Sequence, residues 1–465
     1  MHHEKVYTSK NQVRSLAGSS VAPHLALLRR VGFCHLQGAA GGGSARSGPK
    51  RLHSYYCLFA FGVTSGYVLQ QAIYAFQERS DLDKLSRVLF VMLCHCTCVA
   101  KQAVFHADAR RIDRIITGLN RECEPNYHQC YIIQECSDLD MLLRVLFMML
   151  CHCTCVAKQA VFHADARRID RIITDLDQTL FNQPIESHRS QLRGTALSAA
   201  RLLRVYYSTA VATCVLWIIF PVVYKLRGHR IEFPFWTFVD YNQPVMFVVV
   251  LFHSFYATNL VAVGNTTMDA FIATVLFQCK TQLRILRMNF ETLPERAQEL
   301  SKETQNANYN KILTKLLFEC IQHFQKIAET MELLQSVFGL AVLVQFTVGG
   351  WILCMAAYKI VSVNVLSLEF ASTTLFIVCI LTELFLYCYY GNEVTVESDR
   401  MVESIYAMEW LHAPVRFKKS LVLMMERAKR PLRPAAGLII PLSLNTFVTI
   451  LKSSYSFYAV LRQTK

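Results

Sequence analysis

This 465-residue chain has no Gly-rich phosphate loop following a strand pattern, no HExxH zinc motif and no nucleophile elbow. Enzyme chemistry therefore has no foothold in the sequence, and no cofactor is implied. Charge is scarce as well: charged residues make up 18% of the chain against 53% hydrophobic ones. Mean hydropathy is +0.27, too apolar for a surface that meets water everywhere. Ten-residue segments of alternating hydrophobicity, the mark of a membrane barrel, are missing too. What the chain does have is a series of apolar runs of about 19 to 26 residues, the length a helix needs to cross hydrocarbon with its backbone groups satisfied. The expected fold class is an all-α, polytopic membrane protein.

The formal charge of +14 does not point to nucleic acid. The Lys and Arg residues lie in loops and at span ends, not in one aromatic-laced stripe. Most of the seventeen cysteines sit inside apolar runs, as Cys94, Cys96, Cys98, Cys214, Cys354 and Cys379 do, and read as buried free thiols rather than a disulfide framework. The dense stretch Cys94, His95, Cys96 and Cys98 occurs in an apolar helix with no second ligand pair, so no metal is expected.

Residues 1–54 hold eight Lys/Arg, one acidic residue and a Gly-rich stretch from Gly38 to Gly48, which predicts a flexible cytoplasmic tail. No signal peptide is visible there. Residues 55–465 form the helical domain. Its spans are expected at about 55–76, 85–105 or its duplicate 142–162, 205–224, 244–263, 334–358, 366–390 and 438–460.

The duplicate arises because residues 77–119 and 134–176 are a near-identical tandem duplication. Ser80 to Leu119 matches Ser137 to Leu176 except at positions 84, 86, 91 and 118. Solenoid and transporter repeats diverge at their surfaces, whereas this one is copied through loop and span alike. Each copy has an acidic front (Asp81 and Asp83; Asp138 and Asp140) and a basic exit (Arg110 and Arg111; Arg167 and Arg168), so both favour the same direction of crossing. The linker between them, with Arg121, Glu122, Glu124 and Glu135, is too charged to cross back. One copy is therefore expected not to span. The remaining basic loops then give seven spans with the N-terminus cytoplasmic and the C-terminus extracellular. Asn265 to Thr267 is a glycosylation sequon that this topology places on the cytoplasmic side.

The stretches Leu384–Val394 (LFLYCYYGNEV), Phe447–Ser456 (FVTILKSSYS), Asp81–Phe90 (DLDKLSRVLF) and Leu216–Pro221 (LWIIFP) resemble the insect odorant receptor family. The resemblance runs from about residue 55 onward; residues 1–50 and the second repeat copy depart from it. It implies a ligand-binding tuning subunit of a tetrameric, non-selective cation channel. The partners it implies are a common co-receptor, a small volatile ligand and membrane lipid, in the plasma membrane of olfactory sensory neurons. A gustatory receptor of the same superfamily and a G-protein-coupled chemoreceptor are the alternatives.

On that resemblance the last span lines the pore, with Val460 at a hydrophobic constriction and Gln463 and Thr464 beside it. A mid-helix cation there, Lys452, costs about 2.5–3.5 kcal/mol if it faces lipid, so it is expected to face protein or water. The ligand site implied is in the outer half of the bundle, an aromatic cavity with one or two polar groups. Its candidate residues are Phe90, Cys94, Tyr207, Thr213, Trp217, Phe252 and Tyr256, with Phe147 and Cys151 as the duplicate equivalents of the first two. Glu383, in the last turns of the sixth span, is either a functional carboxylate or one that snorkels to the inner interface.

Overall fold

A computed structural model of the chain describes residues 16–33, 47–77, 152, 154–183, 185–227, 243–303, 308–362, 365 and 367–463. The first copy of the duplication lies outside these residues, as do Phe90, Cys94, Phe147, Cys151 and Thr464. The described part is helical: α1 (Leu16–Arg30), α2 (Ser47–Gln77), α3 (154–164) and α4 (Ala166–Leu176) come first. Then follow α5 (Glu186–Leu226), α6 (Pro244–Glu291), α7 (Leu293–Glu303), α8 (Tyr309–Ser362) and α9 (Leu368–Asp399). Two short helices, α10 (Met401–Ala407) and α11 (Val415–Ala428), precede a two-stranded hairpin, β1 (Ala435–Ala436) with β2 (Ile440–Pro441), and the final helix α12 (Leu444–Gln463). Helices α2, α5, α6, α8, α9 and α12 overlap six of the expected spans, and α3 overlaps the second half of the span expected at 142–162.

Helix ends follow local chemistry. Pro244 opens α6, where its missing N–H is one no helix would use. Ser367 caps α9 by accepting a 3.0 Å hydrogen bond from the Phe370 N–H. Helix α4 has its isoleucines on one face, and Ile169, Ile172, Ile173 and Leu176 are buried together.

Burial patterns show which helix faces meet the rest of the chain and which are left exposed. On α2, Cys57, Ala60, Thr64 and Tyr67 recur every three or four residues and are buried, while Tyr55, Leu58, Phe59 and Leu69 are exposed. On α6 the exposed stripe is Val245, Val248, Val249, Phe252 and Tyr256. Contiguous apolar stripes of this kind suit a hydrocarbon solvent. Among the described residues, four helices are long and apolar enough to cross a membrane on those grounds alone: α5, α6, α8 and α9.

The long helices exceed the bilayer. Helix α6 has 48 residues and α8 has 54, so at about 1.5 Å per residue each is more than twice the length of a ~30 Å hydrocarbon core. The hydropathic spans at 244–263 and 334–358 are segments of these rods. Their far halves, with α4, α7, α10 and α11, form a second packed layer around Leu283, Leu286, Leu317, Phe324 and Leu421, all buried.

Three expectations change. The segment predicted to be a flexible tail contains α1, whose Ala17, Val21, Leu25 and Leu28 are buried in the main core. Its basic residues misled, since Arg29 and Arg30 fall at the C-terminal turn, where cations suit the helix dipole. The last helix starts at Leu444, not Leu438. Residues 438–443 turn the hairpin instead, with Gly437 and Leu438 in the left-handed region at φ 57° and 62°. The second repeat copy also belongs to the bundle: Cys155 and Phe162 of α3 are fully buried, and Phe162 packs on Phe271 and Phe338.

Candidate functional site

Helices α3, α5, α6, α8 and α9 enclose a cavity of about 90 Å³. Its walls are largely apolar, with Trp217 of α5 stacked on Phe376 of α9 at 5.7 Å between ring centroids, and Val261 and Ile352 from α6 and α8. A few polar groups enter it, notably Thr213, Asn265, Gln345 and Glu383. Small apolar ligands bind in sites of this composition: a concave, largely apolar space with a few polar groups.

A buried ion cluster forms the floor. The Lys158 ammonium of α3 donates to Asp269 Oδ1 of α6 at 2.5 Å and to Glu383 Oε1 of α9 at 2.7 Å. It also donates to Asn265 Oδ1 at 3.0 Å. Asn265 Nδ2 donates to Asp269 Oδ2 at 3.0 Å, and the Tyr387 hydroxyl donates to Asp269 Oδ1 at 2.6 Å. The Lys158, Asp269 and Glu383 side chains are only 1–2% exposed. Taking each ion out of water costs several kcal/mol, and only multiple good hydrogen bonds offset that. Asp269 receives three such bonds. Glu383 and Asn265 are the members of the cluster that line the cavity, and the Glu383 side chain is buried and does not snorkel.

Sequence reasoning found part of this arrangement. Thr213 and Trp217 line the cavity as expected. Tyr207 is half-buried, and its neighbour Tyr206 lines the cavity instead. Phe252 is 69% and Tyr256 37% exposed; both belong to the exposed stripe of α6 and do not line the cavity. The physical reason is rotation, since hydropathy sets the depth of a residue on its helix but not the side it faces. Lys452 is exposed on α12. Val460 and Gln463 lie in the last turn of α12, but their side chains are outside the described residues.

Lys158 and Asp269 were missed. Their signal was present, because an ionisable residue inside or just beyond an apolar span points to a partner by default. Asn265 of the sequon is committed to the cluster and Thr267 is fully buried, so burial keeps a glycan off whatever the topology. No group of three or more metal-ligating side chains occurs among the described residues.

A second polar network ties α6 to the C-terminal turns of α9 and to α10. Arg287 pairs with Glu397 at 2.7 Å and donates to Ser404 Oγ at 2.9 Å, and Ser404 Oγ donates to Glu291 at 2.6 Å. Lys280 meets Glu393 at 3.4 Å. These acidic residues, spaced along a helix, hold the chain's own layers together.

Comparison with known proteins adds the following. A family model described as 7tm odorant receptor matches residues 138–455, so the match runs through the second repeat copy and leaves out the first. The chain is similar to odorant receptor Or1 of Anopheles gambiae, with 20% identity over 352 residues, 72% of this chain and 84% of that one. Similarity to odorant receptor 22c of Drosophila melanogaster is 26% over 326 residues, 66% and 78% of the two chains. Among solved structures, the olfactory receptor OR5 of Machilis hrabei shares the fold at a TM-score of 0.71 and 12% identity, covering 96% of this chain and 98% of that one. Its complex with eugenol gives a TM-score of 0.69 with 13% identity over the same shares.

Proposed function

This chain belongs to the seven-transmembrane odorant receptor family, and from that membership we propose that it is a ligand-binding tuning subunit. Small volatile apolar molecules enter the cavity beside Thr213, Trp217 and Phe376, and their binding opens a non-selective cation channel. The channel is a heteromer with a common co-receptor in the plasma membrane of olfactory sensory neurons, with the N-terminus cytoplasmic and the C-terminus extracellular. The observation that carries this reading is the partly open, largely apolar cavity within the bundle, lined by Trp217 and Phe376 and joined to a buried ion cluster.

Helix α12 supplies the pore in this reading. Its exposed Lys452 faces water or a neighbouring subunit and so avoids the cost of lipid. Val460 forms the constriction, with Gln463 and Thr464 next to it, and closes the path by excluding water.

Co-expression with an odorant co-receptor and recording of currents against a panel of volatile compounds tests the proposal. Active compounds are expected to lose about tenfold or more in sensitivity in Trp217→Ala or Phe376→Ala, the contribution of buried aromatic area. Currents that ignore both substitutions would remove the cavity from the mechanism.

A further inference from the structure

Several polar groups of the cavity present acceptor oxygens, and Lys158 and Asn265 beside them are already engaged as donors; the Tyr206 and Thr266 hydroxyls line it as well. The Thr213 hydroxyl gives its proton to the Thr209 carbonyl at 2.9 Å, leaving its oxygen lone pairs. Asn265 donates to Asp269, and the Lys158 ammonium is shared among three oxygens. Gln345 of α8 lines the same cavity at 1% exposure, and its Oε1 meets no hydrogen-bond donor among the described residues. Glu383 adds a carboxylate, in a cluster where one ammonium faces two carboxyl groups. A buried acceptor without a donor is costly, and a site that holds one discriminates strongly between ligands that satisfy it and ligands that do not.

We infer that the cavity selects ligands carrying a hydrogen-bond donor, a small alcohol or amine on an apolar body, over isosteric ethers that offer only an acceptor. This rests on the proposed ligand site. The ligand's apolar part lies against Trp217, Phe376 and Ile352, and its O–H or N–H points to Gln345 Oε1 or to Glu383. An ether oxygen has no hydrogen to give and leaves Gln345 Oε1 unsatisfied.

The test is ligand-observed NMR on the purified full-length chain in lipid nanodiscs, with hexanol, its isomer methyl pentyl ether, and hexylamine. Hexanol is expected to bind at least about tenfold more tightly than the ether, the value of one buried hydrogen bond. Gln345→Leu is expected to bring the two within about threefold of each other, leaving ether binding unchanged or improved. Hexylamine binding more tightly than hexanol places the contact at Glu383, and the reverse order places it at Gln345; either order requires a donor.

Ala210→Trp, which fills the cavity from α5, serves as the control for the site itself. If it abolishes binding of both probes while the wild type binds them equally, the donor preference is wrong and the site stands. If the probes bind in spite of Ala210→Trp, or bind nowhere, the ligand site is wrong and the preference falls with it. A preference for hexanol that survives Gln345→Leu and Glu383→Gln together also overturns the inference.

Discussion

Lys158 reaches Glu383 across the bundle at 2.7 Å, joining two residues 225 positions apart in the chain with both side chains almost wholly buried. The pair links α3 to α9 beneath the cavity, and Asp269 brings in α6 from the other side.

Replacing Lys158 with Met removes the ammonium and leaves two carboxylates buried without a counter-ion. Breaking such a pair from one side costs about 3–5 kcal/mol, so surface expression and thermal stability in detergent are expected to fall sharply. Adding Glu383→Gln to Lys158→Met is expected to recover a measurable part of the loss. A double variant no better than the single one would mean that the pair is not coupled.

The two repeat copies differ where it matters for packing. Asp175 of the second copy binds Lys326 at 2.9 Å and accepts from Gln178 at 2.9 Å, whereas the matching residue of the first copy is Gly118. Deleting residues 80–136 keeps Asp175 and is expected to leave expression and ligand responses intact. Deleting 120–176 puts Gly118 in its place and is expected to cost about 0.5–1.5 kcal/mol, because Lys326 loses Asp175 and keeps only Glu329 at 3.3 Å. Gly118→Asp in that second deletion should restore stability, as read by thermal melting. Equal stability of the two deletions would remove the distinction between the copies.

Gly391 touches the hairpin that precedes the last helix. A Cβ placed there would sit 2.3 Å from Leu442 Cβ and 2.7 Å from its carbonyl oxygen. Gly391→Ala is therefore expected to displace the hairpin at a cost of about 1–3 kcal/mol, lowering surface expression. Gly194→Ala, where nothing lies within 4 Å, is the neutral comparison.

Acid should loosen the layer outside the membrane spans. Burial holds the His24 imidazole down to about 4 and His323 down to about 3. The Nε2 of His323 lies 2.9 Å from Gln282 Oε1. Their native pKa values are below the unfolded value near 6.5, so the unfolded chain binds protons first. The stability they contribute is complete above pH 6.5 and is lost as pH falls toward the native values. At pH 5 each costs about 2 kcal/mol. Melting temperatures measured from pH 7.5 to 5 should decline, and the decline should flatten in His24→Gln with His323→Gln.

Tags on both ends check the orientation. The N-terminal tag is expected to be reached by antibody only after permeabilisation, and the C-terminal tag on intact cells. The reverse pattern would sink the channel reading and favour a G-protein-coupled one.

Helix existence and class were legible because apolar runs of span length allow few other structures. Helix ends were less so: α6 continues past residue 263 to Glu291 because tertiary packing of Leu283 and Leu286 sustains it after its hydropathy falls. Rotation was not legible at all. Tyr206 and Tyr207 differ by one position and about 100° around the helix axis, and only the first lines the cavity. The ion cluster needed three helices brought together, which local patterns do not encode. Helix α1 was hidden by the Gly-rich, basic sequence around it.

The hairpin before α12 has a mechanical consequence. Gly437 N–H is bound to the Gly339 carbonyl at 2.7 Å, and farther along, Ser454 Oγ donates to the Gly350 carbonyl at 2.9 Å. Both anchor points belong to α8, about 16 Å apart along the same rod, roughly half the thickness of a hydrocarbon core. The hairpin and the last helix are thus both fastened to α8, so a shift of either would be felt at Gln345, which lines the cavity from between the two fastenings, and at Ile352 just past the second.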